Sequence, residues 1–181
     1  MNRLPLFVLL TGLLLTAAAC GPNLRPFTQQ LYDQNRWSEE DLRHIQFYLS
    51  NDIVLRRELS NGSSEIIRGQ IKMVNGRRIE EIAIRKGTPG VFLFSPKDKR
   101  FAVSFEEGGD QRYLIFGPSP KAGERYVLLA SEWGRRDGTV TYEGIKYQVD
   151  AESAYASLLV DLKKLNKTSI NSRTASGRKI D

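Results

Sequence analysis

Histidine and cysteine are nearly absent from this 181-residue chain: it has one of each, His44 and Cys20. A Ser-His-Asp triad needs its histidine beside a nucleophile, and no G-x-S-x-G elbow is present. Zinc needs clustered His, Cys or carboxylate ligands, which His44 and Cys20 do not provide. A single cysteine excludes an intramolecular disulfide. The phosphate-cradling G-x-x-x-x-G-K-[ST] pattern is missing too. His44 reads as a solvated helix residue. Carboxylates are the remaining route to hydrolysis. Glu80 and Glu81 are adjacent, so a regular strand turns them to opposite faces and they cannot form an acid/base pair. Glu106, Glu107 and Asp110 surround two glycines and could hold a weak calcium ion. Their spacing fits no calcium loop, and they read as a solvated turn. The reading is therefore a protein that is not an enzyme and that carries no cofactor or metal, with a hydrolase whose carboxylates pair across strands as the alternative.

No apolar run is long enough to span a bilayer. The longest, Leu4 to Leu15, follows Arg3 and leads into Ala17-Ala18-Ala19-Cys20. A basic start, a short apolar stretch and small residues before a cut form a secretory signal over residues 1–19. The cysteine after the small residues resembles the lipobox of bacterial lipoproteins, with Ala17 where that pattern usually has leucine. The resemblance implies cleavage between Ala19 and Cys20, a diacylglyceryl group on the Cys20 thiol and an N-acyl group on its amine. Three acyl chains would hold far more firmly than one, since each buried methylene contributes about 0.8 kcal/mol. Gly21, in place of the aspartate usual in retained inner-membrane lipoproteins, implies the outer membrane. The lack of an acid before Asp33 implies its periplasmic face, with the cell surface or another membrane as the alternative.

The remaining ~160 residues suffice for one domain with a real core. The whole chain carries a formal net charge of +6. For an exported chain that charge points to anionic lipid, glycan or an acidic protein patch, not to nucleic acid.

Residues 20–36, with Pro22 and Pro26, read as a short tether. Ser38 caps a helix with Glu39, Glu40 and Asp41 in its first turn, and Asp41 stands at the capping-box position. Leu42, Ile45, Tyr48 and Leu49 carry that helix to about Asn51. From Ile53 to Val149 short apolar runs alternate with turns. Asn61-Gly62, Asn75-Gly76 and Glu143-Gly144 are hairpin signals, and Thr88-Pro89-Gly90-Val91 fits a type II turn. Phe101, Val103 and Phe105 alternate with Ala102 and Ser104, so one face is buried. Eight or nine short strands without intervening helices predict a mainly β fold, an antiparallel meander closed as a small barrel or folded as a sandwich. Asp150 caps a second helix with the stripe Ala151, Ala154, Tyr155, Leu158, Leu162 and Leu165. The single domain thus spans 37–165, and 166–181 forms a disordered basic tail.

Basic residues recur near strand ends: Arg56-Arg57, Arg77-Arg78, and Lys97, Lys99 and Arg100 in one hairpin. If gathered on one rim, they would face an anion. Trp133 beside Arg135 and Arg136 is the candidate interface, where Trp and Arg are enriched. The expectation is a non-enzymatic envelope lipoprotein that binds or braces another envelope protein. The alternative is a module binding a lipid, glycan or cell-wall fragment.

Overall fold

The computed structural model describes residues 23–60, 68–109 and 111–168. The signal segment, Ala19, Cys20, the Asn61-Gly62 turn, Asp110 and the tail beyond Thr168 lie outside the described residues. The fold is mainly β, with antiparallel sheets in a sandwich-like arrangement and three flanking helices.

The first sheet runs, in spatial order, β1 (Leu24–Pro26), β13 (Leu158–Asp161), β2 (Gln46–Leu49), β6 (Pro89–Lys97), β7 (Arg100–Ser104), β8 (Leu114–Ser119) and β9 (Arg125–Leu128). It curls until its far edge meets its near one. Thr28 bridges Arg125 and Ser157 bridges Val127. The Tyr126 N–H donates to the Phe27 carbonyl, and the Leu128 N–H to that of Ala156. Closure of this kind pairs the backbone groups that an open edge would leave bare.

Among the described residues the second sheet is open. Its order is β10 (Glu132–Trp133), β11 (Asp137–Tyr142), β12 (Ile145–Asp150), β3 (Ile53–Glu58), β5 (Arg77–Ile84) and β4 (Gln70–Val74). The inward residues of both sheets build one core. On the closed sheet it is aromatic. Phe101 stacks on Tyr126 with centroids 4.5 Å apart, and Phe27 meets Tyr126 edge-on at 5.0 Å and Phe47 at 5.2 Å. These rings are at most 1% exposed, so side chains fill the interior.

Two turns sit where the sequence places them. Asn75 and Gly76 have φ of 50° and 77°, and Glu143 and Gly144 have 50° and 75°. Both central residues lie in the left-handed region that a tight hairpin requires. The expected type II turn at Thr88-Pro89-Gly90-Val91 falls three residues earlier. The Thr88 N–H donates to the Arg85 carbonyl, Gly87 takes φ 79°, and Pro89 and Gly90 begin β6. Gly90 serves a close approach instead: a Cβ there would stand 2.6 Å from the Phe105 ring. β7 is buried on both faces, Ala102 at 0% and Ser104 at 5% exposed, where alternation predicted one.

The structure also corrects the two helices and the tether. The capping box forms as expected: Ser38 N–H donates to Asp41 Oδ2 at 2.8 Å, and Asp41 N–H to Ser38 Oγ at 3.2 Å. Yet the helix, α2 (Glu39–Arg43), stops after five residues, and β2 follows. Phe47 and Leu49 share one strand face and are fully buried, so the sheet takes them at period two. After Asp150 the expected helix divides into a 3-10 turn (Ala151–Tyr155), β13 and α3 (Leu162–Thr168), with Tyr155 left 75% exposed. The stretch read as a tether enters the fold. β1 pairs with β13, Phe27 is fully buried and α1 (Gln29–Asn35) follows, so the domain begins by Leu24.

Candidate docking surface

The strand register sorts the second sheet's charges by face. Arg56 lies opposite Glu81 and Arg57 opposite Glu80. Adjacent residues point oppositely, so Arg57 and Glu80 face inward, and Arg56 and Glu81 outward.

The inward pair is the most buried charge among the described residues. Glu80 is 0% exposed. The Arg57 Nε donates to its Oε2 at 2.5 Å, the Gly69 N–H to its Oε1 at 2.7 Å and the Tyr147 hydroxyl to Oε2 at 3.3 Å. The Arg68 N–H donates to Oε1 as well. Arg57 also lies over the Tyr147 ring, 5.7 Å from its centroid. Burial pushes the Glu80 carboxyl up, but the two backbone donors and the Arg57 guanidinium outweigh it and hold the group below the usual carboxylate range. Burial and the neighbouring Glu80 raise the Tyr147 hydroxyl. Held by Arg57, two backbone N–H groups and the Tyr147 hydroxyl, the Glu80 carboxylate ties β5 to β3, β12 and the residues that lead into β4.

Outward, Arg56, Glu58, Lys72, Val74, Ile79, Glu81 and Gln148 line a groove of about 500 Å³. Its charges are paired. Glu81 accepts from Arg56 at 3.0 Å and from Lys72 at 2.5 Å, and these bonds lower its pKa, that to Lys72 most. Arg56 also reaches Asp150 at 3.6 Å, and Arg77 reaches Glu58 at 3.2 Å.

The sheet's two edges differ. At β10, Trp133 is 39% exposed and its ring lies on Gly138, where a Cβ would come within 2.4 Å. Arg135 and Arg136 are exposed in the short turn to β11. At the other edge all five residues of β4 are exposed, Ile71 at 42%, Met73 at 67% and Val74 at 48%. Among the described residues no strand pairs with its outer side.

The sequence-predicted basic residues do not share a rim. Arg56, Arg57, Arg77 and Arg78 belong to the second sheet, and Lys97, Lys99 and Arg100 to the β6–β7 hairpin of the first. Arg56, Arg57 and Arg77 hold acids, and Lys99 lies 3.9 Å from Asp33. The residues that sequence reasoning passed over are Ile71, Met73 and Val74. Their strand was legible as a strand, but its place at a sheet edge is a property of topology that no local pattern carries.

A second concavity, of about 580 Å³, opens between the sheets, lined by Arg100, Tyr113, Ile115, Leu129, Thr141 and Glu143 among others. Glu143 is held there by Arg68 and Arg112, and Arg112 reaches Glu106 at 3.4 Å. Glu106 and Glu107 are exposed, and His44 is exposed with its Nδ1 2.8 Å from the Glu40 carbonyl. Among the described residues no group of three His, Cys, Asp or Glu side chains is placed to hold a metal ion. No protein-family model, curated protein or solved structure matches the chain.

Proposed function

We propose that this chain is a cell-envelope lipoprotein, anchored through Cys20 at the periplasmic face of the outer membrane, which docks onto another envelope protein as an accessory subunit and catalyses no reaction. The observation that carries the reading is the exposure of β4. Apolar side chains stand in water along an open edge while the interior of the closed sheet is filled by its own rings. Exposed apolar patches on an otherwise ion-paired surface mark interaction sites. The anchor rests on the lipobox-like Ala17-Ala18-Ala19-Cys20.

The test is crosslinking in living cells, mild detergent extraction through a C-terminal tag and mass spectrometry. The expected result is a stoichiometric membrane-protein partner. Cys20→Ser should abolish incorporation of labelled palmitate. Recovery of lipid or glycan without a protein would overturn the docking reading in favour of a ligand-binding module. The cleft beside Arg100, with an arginine near apolar Ile115 and Leu129, is what favours that second reading.

A further inference from the structure

We propose that the cleft beside Arg100 binds a linear amphiphile with an anionic head, a single acyl chain ending in a carboxylate or a phosphate. The inference goes beyond the docking reading. β4 lies at the far edge of the second sheet, and the cleft opens on the outer face of the first, where β8 meets β11. Strand register builds it. Phe101 and Phe116 stand opposite each other and are buried in the core. Their neighbours therefore point outward: Arg100 from β7, and Ile115 and Tyr113 from β8. Leu129 joins this row, and its N–H donates to the Ile115 carbonyl at 2.8 Å. A Cβ on Gly117 would come within 2.7 Å of the Leu129 side chain and 3.7 Å of the Arg100 Cγ. Glycine at 117 thus lets the arginine stem and the leucine share one spot. From Gly117 to Tyr113 the outward row runs about 14 Å, four steps of ~3.4 Å. A cation at one end of an apolar row is the outline of an amphiphile. The volume, about 580 Å³, lies within the roughly 300–1,000 Å³ of small-molecule sites.

Charge selects the head. Lys97 and Arg100 are partners across the β6–β7 hairpin, so their side chains leave the same face. Like charges directly opposite destabilise a ladder. Among the described residues neither side chain has an ion pair or a hydrogen bond, whereas Lys99 of the same hairpin lies near Asp33. Burial first, and then the charge of Asp98, raises the Tyr32 hydroxyl on α1, so this acid of the turn stands toward α1. Glu143, the one acid lining the cleft, is already held by Arg68 and Arg112. An oxyanion would accept from the Arg100 guanidinium and relieve its opposition to Lys97. A neutral head would leave both cations bare, and a cationic one would add a third.

The acyl-free mature chain, residues 20–181 with Cys20→Ser, tests the site without detergent. It is titrated with dodecanoate, dodecyl phosphate or dodecyltrimethylammonium, each below its micelle threshold, and read by NMR at the Ile115 and Leu129 methyls. The anions should bind and shift those methyls, and the cation should bind at least about tenfold more weakly. The tighter of the two anions tells a fatty acid from a lipid phosphate. Arg100→Gln should weaken both about tenfold, and Lys97→Gln about threefold. Both residues are exposed, so neither variant threatens the fold. Shortening dodecanoate to hexanoate should weaken binding at least about tenfold, because six methylenes leave the apolar row. Equal binding of the cation or of hexanoate, or indifference to Arg100→Gln, refutes the inference. None of these results bears on the protein partner sought by crosslinking, and absence of that partner would leave this site standing.

Discussion

The two sheets of this domain solve the same problem in opposite ways. Both must satisfy the backbone of short antiparallel strands. The first closes on itself and fills the space with Phe27, Phe47, Phe101 and Tyr126. The second stays open and holds its inward charge, Glu80, with four donors. Aromatic packing is concentrated where the chain has closed, and exposed apolar side chains stand along an edge that, among the described residues, pairs with no further strand where it has not. Packing rings is costly to disturb but presents nothing to a partner. An open edge contributes little to the fold and offers a row of unpaired groups.

Substitutions that break this contrast should rank accordingly. Phe101→Ala, in the closed sheet, should cost about 3–5 kcal/mol in chemical denaturation. A loss near zero would mean that the aromatic cluster is not the keystone. Glu80→Gln, in the open sheet, should cost about 2 kcal/mol, because it removes the buried charge that the Arg57 guanidinium and two backbone N–H groups hold. Gly90→Ala should cost about 1–2 kcal/mol by driving a Cβ into the Phe105 ring, and Phe105→Leu should relieve part of it. A double-mutant cycle reads that coupling.

The acid limb of stability sharpens the comparison further. Glu80 is held below its ordinary value, 4.5, in the folded protein. The folded state therefore binds its proton less readily than the unfolded chain. The stabilisation is fully present above the unfolded value and is lost as pH falls through the folded one. Glu80→Gln should flatten this limb of the stability curve below pH 4.5, while Phe101→Ala lowers the whole curve without changing its shape. The smallest effect belongs to the edge. Met73→Ser should change stability by less than about 0.5 kcal/mol. A larger loss would show that the residue is covered in the free protein, against the docking reading.

Much of the fold was legible because it is local. Asn-Gly and Glu-Gly doublets predict hairpins since few residues tolerate positive φ at two successive positions. Alternation in β3, β5 and β12 predicts strands. The Ser38–Asp41 box is a side-chain device that operates in the helix's own first turn. What failed was global. Leu42, Ile45 and Leu49 fit a helix, and Ile45, Phe47 and Leu49 fit a strand equally. Pairing of β2 between β13 and β6 decides it, and those neighbours lie 40 or more positions away in the chain. Leu158, Val160 and Leu162 were ambiguous in the same way. Gly90 read as a turn glycine because closeness to a ring leaves no mark in the sequence. The basic doublets were seen but not their acids, since Arg56 and Glu81 meet only by register.

The pairing of β1 with β13 has a mechanical consequence. Leu24, where the described chain enters the fold, lies opposite Asp161, where β13 ends. The two ends therefore leave from the same end of one antiparallel ladder. Tension applied between them would load the hydrogen bonds of that ladder one after another, as in opening a zipper, and not all at once. Pulled that way, the domain should yield at low force once the turn of α3 seating Leu165 has lifted. Force entering at Leu24 and leaving through β4 must instead cross both sheets, and along that path the domain should act as a stiff link.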